Sequence, residues 1–330
     1  MQSIFKIFQE LKKTSTIYAD SFNIAPLPLI KNHKIGISQS EHPMFFIKCS
    51  GSEKIKSIDC NLEFISVQFN RSCQLLNNKK KPEEGVYTII SLKTDSIDLQ
   101  EYFLDIVYLV IMKLPQKPNL KELKVEVDKL INLFSKFSKP AIKTIQGLWA
   151  ELLVIERSNN PDYLIQAWHS SATDKFDFND GIDKIEVKST SKNKRMHNFS
   201  IEQLNPNKNS SLIIVSVFTV ETGIGQSIFG LVDSIENKIK DQKLSFRINE
   251  VIAQTLGKDF EKAFDIFYDY QLAMDSIAYY DSFNVPTINL NNIPKEVNNV
   301  RFDCDLTDLP ILKKIKTKSL LHKSLFQKQS

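Results

Sequence analysis

Asp174-Lys-Phe-Asp177-Phe-Asn-Asp180-Gly181-Ile-Asp183-Lys184-Ile-Glu186-Val-Lys188-Ser-Thr190 is the run on which the reading of the fold turns. Asp180-Gly181 is a tight-turn signal between two strand-like segments, so Phe176 to Phe178 and Lys184 to Thr190 are expected to pair as a hairpin. Alternate residues of a strand share a face. Phe176 and Phe178 then lie on one side with Asp177 opposite, while Ile185 and Val187 face the core and Glu186 and Lys188 share the other face. The hairpin gathers two carboxylates and one ammonium on a single surface of a sheet.

That set suits metal-assisted phosphodiester hydrolysis. Mg²⁺ keeps several waters and is usually held by one or two carboxylates plus substrate phosphate oxygens, a platform that Asp177 and Glu186 would supply. A bound ion lowers the pKa of its water and polarises the phosphoryl oxygen. Lys188 would orient the attacking water or neutralise growing charge. Upstream, Ile142, Ile145, Trp149, Leu152 and Ile155 recur at helical spacing from Pro140 to Arg157. That helix carries a third carboxylate, Glu151, beside its apolar stripe, and Gly147 one turn earlier leaves room there. Downstream, Lys192, Lys194, Arg195 and His197 follow closely enough to meet a phosphate backbone, and Gln203 to line the same cleft.

Plainer readings stand beside these. Glu and Lys alternate on many exposed strands, so the Glu186-Val-Lys188 tripeptide signifies little without Asp177, Glu151 and the basic cluster. Gln203 also completes a capping box with Ser200. Asp174, Asp180 and Asp183 read as turn residues, and His169 as a strand-end residue rather than a catalyst.

The order of a helix with Glu151, then Asp177, eight intervening residues, Glu186-Val-Lys188 and a helix with Gln203 resembles the PD-(D/E)XK nuclease superfamily, which includes many restriction endonucleases. The wider run, with Gly147-Leu-Trp-Ala-Glu151-Leu ahead and Arg195-Met-His197-Asn-Phe199-Ser200 behind, is similar to one branch of it found in prokaryotic restriction-modification and anti-phage loci. The resemblance implies a restriction-endonuclease-like core, a mixed central sheet flanked by helices. It implies Asp177, Glu186 and Lys188 as the core triad, Glu151 as the helix carboxylate and Gln203 as an assistant, with Mg²⁺ or Mn²⁺ as cofactor and DNA as substrate. Phe176 stands where the motif's namesake proline would be. The alternative reading is a catalytically silent DNA-binding or scaffold subunit of a defence complex. Double-strand cutting would call for a homodimer, since one such site cuts one strand per event, and an ATPase or methyltransferase would be the expected kind of partner.

Around this core the chain reads as an ordinary globular protein. Its 330 residues, 42% hydrophobic and 25% charged, suffice for about two domains. Nine glycines, against roughly 23 at the usual ~7%, form neither a P-loop nor a dinucleotide fingerprint, which argues against both nucleotide-binding classes. The net charge of +4 names no partner. The most apolar stretch, Tyr102 to Leu114, falls short of the ~20 residues that span a bilayer, and no signal-peptide core is visible. The cysteines lack metal-binding spacing, so the expected home is the cytoplasm.

The strand-like runs Met44 to Cys49, Leu62 to Phe69 and Gly85 to Leu92 lead to a division into an N-terminal β-rich module with linking helices over 1–139, a nuclease core over 140–235, and a mostly helical C-terminal region over 236–330. Within these regions, Leu99 to Met112, Lys121 to Phe134, Val232 to Lys240 and Phe260 to Ala273 are expected as helices, a short helix is expected near Ser200 to Leu204, and strands at Tyr163 to Trp168 and Val300 to Leu306. The basic tail from Ile311 fits either a nucleic-acid contact or an amphipathic helix docked on the body.

Overall fold

The computed structural model describes residues 3–15, 21–50, 58–77, 81–169, 174–206, 209–241, 243–289, 292–313 and 318–325. The chain divides into two compact units, Met1–Pro140 and Ala141–Ser330. The architecture is mixed α/β, β-rich at the N-terminus and largely helical toward the C-terminus.

In the first unit, helix α1 (Ile4–Thr14) precedes strands β1 (Phe22–Pro26), β2 (Lys34–Ile37), β3 (Pro43–Ile47), β4 (Cys60–Asn61), β5 (Ile65–Leu76) and β6 (Pro82–Leu92), and helices α2 (Ile97–Ile111) and α3 (Leu120–Ser135) follow. The strands run in the order β1-β2-β3-β6-β5-β4, and a parallel pairing of β1 with β5 curls the sheet into a barrel-like closure. Alternation of apolar residues fills its interior: Ile24, Met44, Phe46, Leu75, Tyr87 and Ile89 form one buried cluster. The α3 helix opens on a reciprocal capping box between Asn119 and Glu122, which fixes its first turn.

The second unit begins with helices α4 (Ile145–Arg157) and α5 (Pro161–Ala167), continues through β7 (Phe178–Asn179), β8 (Lys184–Thr190), β9 (Met196–Ser200), β10 (Leu212–Phe218) and β11 (Glu221–Thr222), then α6 (Ile228–Glu236), α7 (Lys243–Leu256), β12 (Phe267–Tyr268), α8 (Tyr270–Ser276), β13 (Ala278–Asp281), β14 (Arg301–Asp305) and α9 (Leu320–Ser324). A four-stranded mixed sheet, β13-β10-β8-β7, carries the predicted hairpin. β8 and β10 run parallel in its middle, and β7 and β13 are antiparallel to their neighbours. Parallel central strands are usually covered on both faces and read as continuous apolar runs. Accordingly Leu212 to Val217 is buried throughout, and α4 and α9 both pack against β8.

The hairpin forms with Phe178 opposite Ile185 and Asn179 opposite Lys184. Asp180 Oδ1 accepts from the N–H groups of Ile182 and Asp183, and Gly181 sits at φ 91°, where a side chain would be strained. The strand expected at Tyr163 to Trp168 is instead α5. Asn160 caps it and Pro161 occupies its first turn, and these start signals outweigh the β-leaning composition. The Pro140 helix starts later than expected, at Ile145, because Thr144 caps it by accepting from Gly147 N–H. A Cβ on Gly147 would approach Thr144 Oγ1 at 3.3 Å, so this glycine serves the cap rather than the space beside Glu151. The helix expected over Phe260 to Ala273 breaks into 3₁₀ turns, β12 and α8, since Asp269 caps a new helix by accepting from Leu272 N–H. Residues 201–204 form a turn rather than a helix.

Of the basic tail, Lys314 and Lys316 lie outside the described residues. Lys323 belongs to α9, whose Leu321 is buried, and Leu325 just beyond it is buried too, as in the docked-helix reading. His322, buried on the same helix, meets the Lys184 carbonyl through Nε2 at 3.0 Å. Among the described residues no helix is long and apolar enough to cross a membrane.

Candidate metal and phosphodiester site

Four segments of the second unit converge on one acidic centre. The α4 helix brings Glu151, whose side chain is 2% exposed, into the interior. Its Oε2 accepts from the indole N–H of Trp168 at 2.7 Å and lies 2.9 Å from His169 Nε2. Asp177, just ahead of β7, is anchored from the sheet: Oδ2 accepts from Val187 N–H at 2.7 Å, and its carbonyl accepts from His169 N–H at 3.0 Å. Lys143, in the segment before α4, donates from Nζ to Glu151 Oε1 at 2.7 Å and to Asp177 Oδ1, and lies 3.4 Å from His169 Nε2.

One ligand atom each from Glu151, His169 and Asp177 lie within 4.8 Å of one another. Two carboxylates and an imidazole so placed are a fitting donor set for a divalent ion. His169 reaches this position from a left-handed backbone conformation, φ 42°, uncommon for a residue with a side chain. The Arg247 guanidinium on α7 secures that bend by donating to the carbonyls of Ile165 at 3.1 Å, Trp168 at 2.6 Å and His169 at 3.3 Å.

Glu186 and Lys188, two residues apart on β8, complete the arrangement. Lys188 Nζ lies 2.8 Å from Glu186 Oε1 and 4.9 Å from the centre of the Phe199 ring. Gln203 bridges both: its amide nitrogen donates to Glu186 Oε1 at 2.5 Å, and its oxygen accepts from Lys188 Nζ at 3.3 Å and from Ser200 N–H at 3.0 Å. The capping reading and the site reading of Gln203 therefore describe the same side chain. Glu186 Oε2 is buried and has no hydrogen-bond partner. An orphaned carboxylate oxygen is costly unless something else engages it.

The charges are tuned in opposite directions. Burial works against an ionised Glu151, but the Lys143 ammonium and the His169 contact outweigh it and hold the carboxyl down at about 2. Asp177 is raised, first by burial and then by the negative charge of Glu151, despite Lys143 and the Val187 N–H. Glu186 is pushed up to about 8 by burial and then by Asp177, against the pull of Lys188. Burial would pull the Lys143 ammonium down, yet Asp177 and Glu151 raise it above the ordinary lysine range.

The expected basic patch separates into two groups. Lys192 and Lys194 are exposed in the bend after β8. Arg195 and His197 turn inward instead. Arg195 donates to the Ser216 carbonyl and hydroxyl and to the Ser276 carbonyl, and stacks 4.4 Å from the Phe218 ring. His197 is buried with Nε2 2.7 Å from Ser216 Oγ, and burial, with Lys188 and Arg195 nearby, lowers it to about 4, which leaves it uncharged at neutral pH. Lys184 is likewise buried, bonded to Asn179 Oδ1 at 2.6 Å.

Lys143 and His169 are the site groups that motif reading passed over. Lys143 lies within the expected helical run but off its apolar stripe, and His169 directly follows the run expected as a strand. The one available signal for His169 was the helix start at Asn160-Pro161, which places Trp168-His169 at a helix end rather than within a strand.

A family model described as "Putative PD-(D/E)XK family member, (DUF4420)" matches residues 4–307. No curated protein and no solved structure matches the chain in the corresponding comparisons.

Proposed function

For a chain that belongs to this PD-(D/E)XK family, as the match over residues 4–307 shows, we propose metal-dependent hydrolysis of DNA phosphodiester bonds, on a restriction-endonuclease-like core and in prokaryotic defence against foreign DNA. The observation that carries the reading is the convergence of Glu151, His169 and Asp177 beside Glu186, Lys188 and Gln203. The core assigned to residues 140–235 holds all of these groups, and β13 adds the far edge strand of its sheet.

Glu151, Asp177 and His169 would hold the ion, with the free oxygen of Glu186 turned to the same task. When bound, a divalent ion supplies a water of lowered pKa and polarises the phosphoryl oxygen. The protein's own part is positional. Trp168 and the Val187 N–H each fix one oxygen of Glu151 and Asp177. Gln203 and Glu186 hold the Lys188 ammonium in place to donate to the attacking water or to a phosphate oxygen. Lys192 and Lys194 would follow the DNA backbone. The imidazole favours a transition ion, so Mn²⁺ should support more activity than Mg²⁺.

The test is incubation of plasmid DNA with the protein, with and without Mg²⁺ or Mn²⁺, beside Asp177→Ala and Lys188→Ala variants. Cleavage that requires metal and vanishes in both variants is expected. Metal-dependent cleavage that survives both substitutions overturns the site. Gel filtration with and without DNA tests the homodimer that double-strand cutting would require.

A second reading, a catalytically silent DNA-binding or scaffold subunit, draws on Lys143, whose ammonium already compensates Glu151 and Asp177. Salt-sensitive DNA binding without cleavage under either metal would favour it.

A further inference from the structure

Lys143 lies outside the motif that organises the site, yet its ammonium meets every member of the Glu151, His169 and Asp177 cluster. The backbone that carries it is tied down, with Ile142 N–H donating to the Thr255 carbonyl at 2.8 Å. Its side chain keeps 30% of its exposure, whereas the carboxyls it touches keep 2% and 6%. The side chain is therefore less enclosed than the two carboxyls it compensates.

A cation within hydrogen-bond range of two buried carboxylates and an imidazole fills the space their ligand atoms enclose. A divalent ion bound by the same atoms needs that space, and like charges cannot share it. Without any cation, two adjacent buried carboxylates would carry an uncompensated desolvation cost. Lys188 does not do this work, because its ammonium is engaged by Glu186 and Gln203.

We propose that Lys143 is a displaceable internal cation, which compensates Glu151 and Asp177 in the metal-free protein and swings toward solvent when a divalent ion enters. The proposal rests on the metal reading above. Metal affinity is then set by exchange of one cation for another, not by binding to bare carboxylates, and Lys143 is a positioning residue that sets the metal concentration at which the site loads.

The experiment is calorimetric titration of the full chain with MnCl₂, comparing wild type, Lys143→Met and Lys143→Arg, with thermal melts in chelator and in Mn²⁺. The methionine variant keeps the stem and removes the charge, and should bind Mn²⁺ about tenfold more tightly or better. Its melting temperature should rise more on adding Mn²⁺ than that of wild type. The arginine variant retains a competing charge and should bind no more tightly than wild type. A methionine variant that folds only with Mn²⁺ present would show the same exchange. If wild type binds Mn²⁺ and the methionine variant binds no more tightly, the role of Lys143 is overturned while the metal site stands. If neither binds, both readings fall together. Tenfold tighter binding by the arginine variant also overturns the proposal, and this arm applies even where the methionine variant does not fold.

Discussion

Lys143 and Lys188 each neutralise buried carboxylate in the α/β unit, but from different positions and with different results. Lys143 arrives from a loop and engages both acids of its cluster, one of which, Glu151, is held ionised down to about pH 2. Lys188 arrives from the strand that carries its own partner, and Glu186 still keeps one unbonded oxygen and a pKa near 8. Both acids of the first cluster have a cation partner, whereas the second leaves one carboxyl oxygen without any partner. On the proposed metal reading, such a centre compensates its acids without an ion and keeps the free Glu186 oxygen for one.

The largest effect that would break this contrast is loss of Asp177, which touches Lys143 on one side and the β8 backbone at Val187 on the other. Asp177→Ala should reduce metal-dependent plasmid cleavage by about a thousandfold, measured as initial rates in Mn²⁺. Next comes Glu151→Gln. Its amide has one accepting oxygen where Glu151 accepts from both Lys143 and the Trp168 indole, which leaves a buried donor unmet and should cost about 3 kcal/mol in urea melts under chelator.

The third effect is a pH profile. The folded-state pKa of Glu186 lies above its ordinary 4.5, so its contribution to stability is complete below about 4.5 and is lost as pH rises through about 8. Metal-free wild type should lose stability over that window, and Glu186→Gln should flatten the decline, as followed by thermal melts. Glu151 has the opposite sign. Its contribution is present above its ordinary 4.5 and disappears as pH falls toward about 2, so Glu151→Gln removes the acid-side slope. The smallest effect sharpens the distinction between exposed and buried lysines. Lys192→Ala and Lys194→Ala should each lower the salt slope of DNA binding by about one unit with little change in stability, measured by fluorescence anisotropy.

The Lys188 cluster was legible in the sequence because its signals are local. Asp180-Gly181 sets the turn, alternation along β8 puts Glu186 and Lys188 on one face, and Glu151 follows from the apolar phase of α4. The Lys143 cluster depends on tertiary structure. Lys143 precedes a helix cap, and His169 occupies a left-handed position held by Arg247 from α7, a helix about 75 residues downstream that the sequence reading did not foresee. Arg195 and His197 misled for the complementary reason. A basic residue near a site looks phosphate-facing in one dimension, and only the placement of Ser216 on β10 shows that both turn inward. In the N-terminal unit the aromatic and β-branched runs gave three strands, whereas β1, with Asn23 and a closing Pro26, and the four-residue β2, interrupted by Gly36, form no such run.

The far edge of the site's sheet is strand β13, Ala278–Asp281, laid antiparallel against β10, and β9 is paired by β14, Arg301–Asp305. During synthesis, therefore, the segment from Asp177 to Lys188 is made well before the strand that completes its sheet. The sheet that carries Glu186 and Lys188 cannot close on its far edge until residues 278–281 have been made.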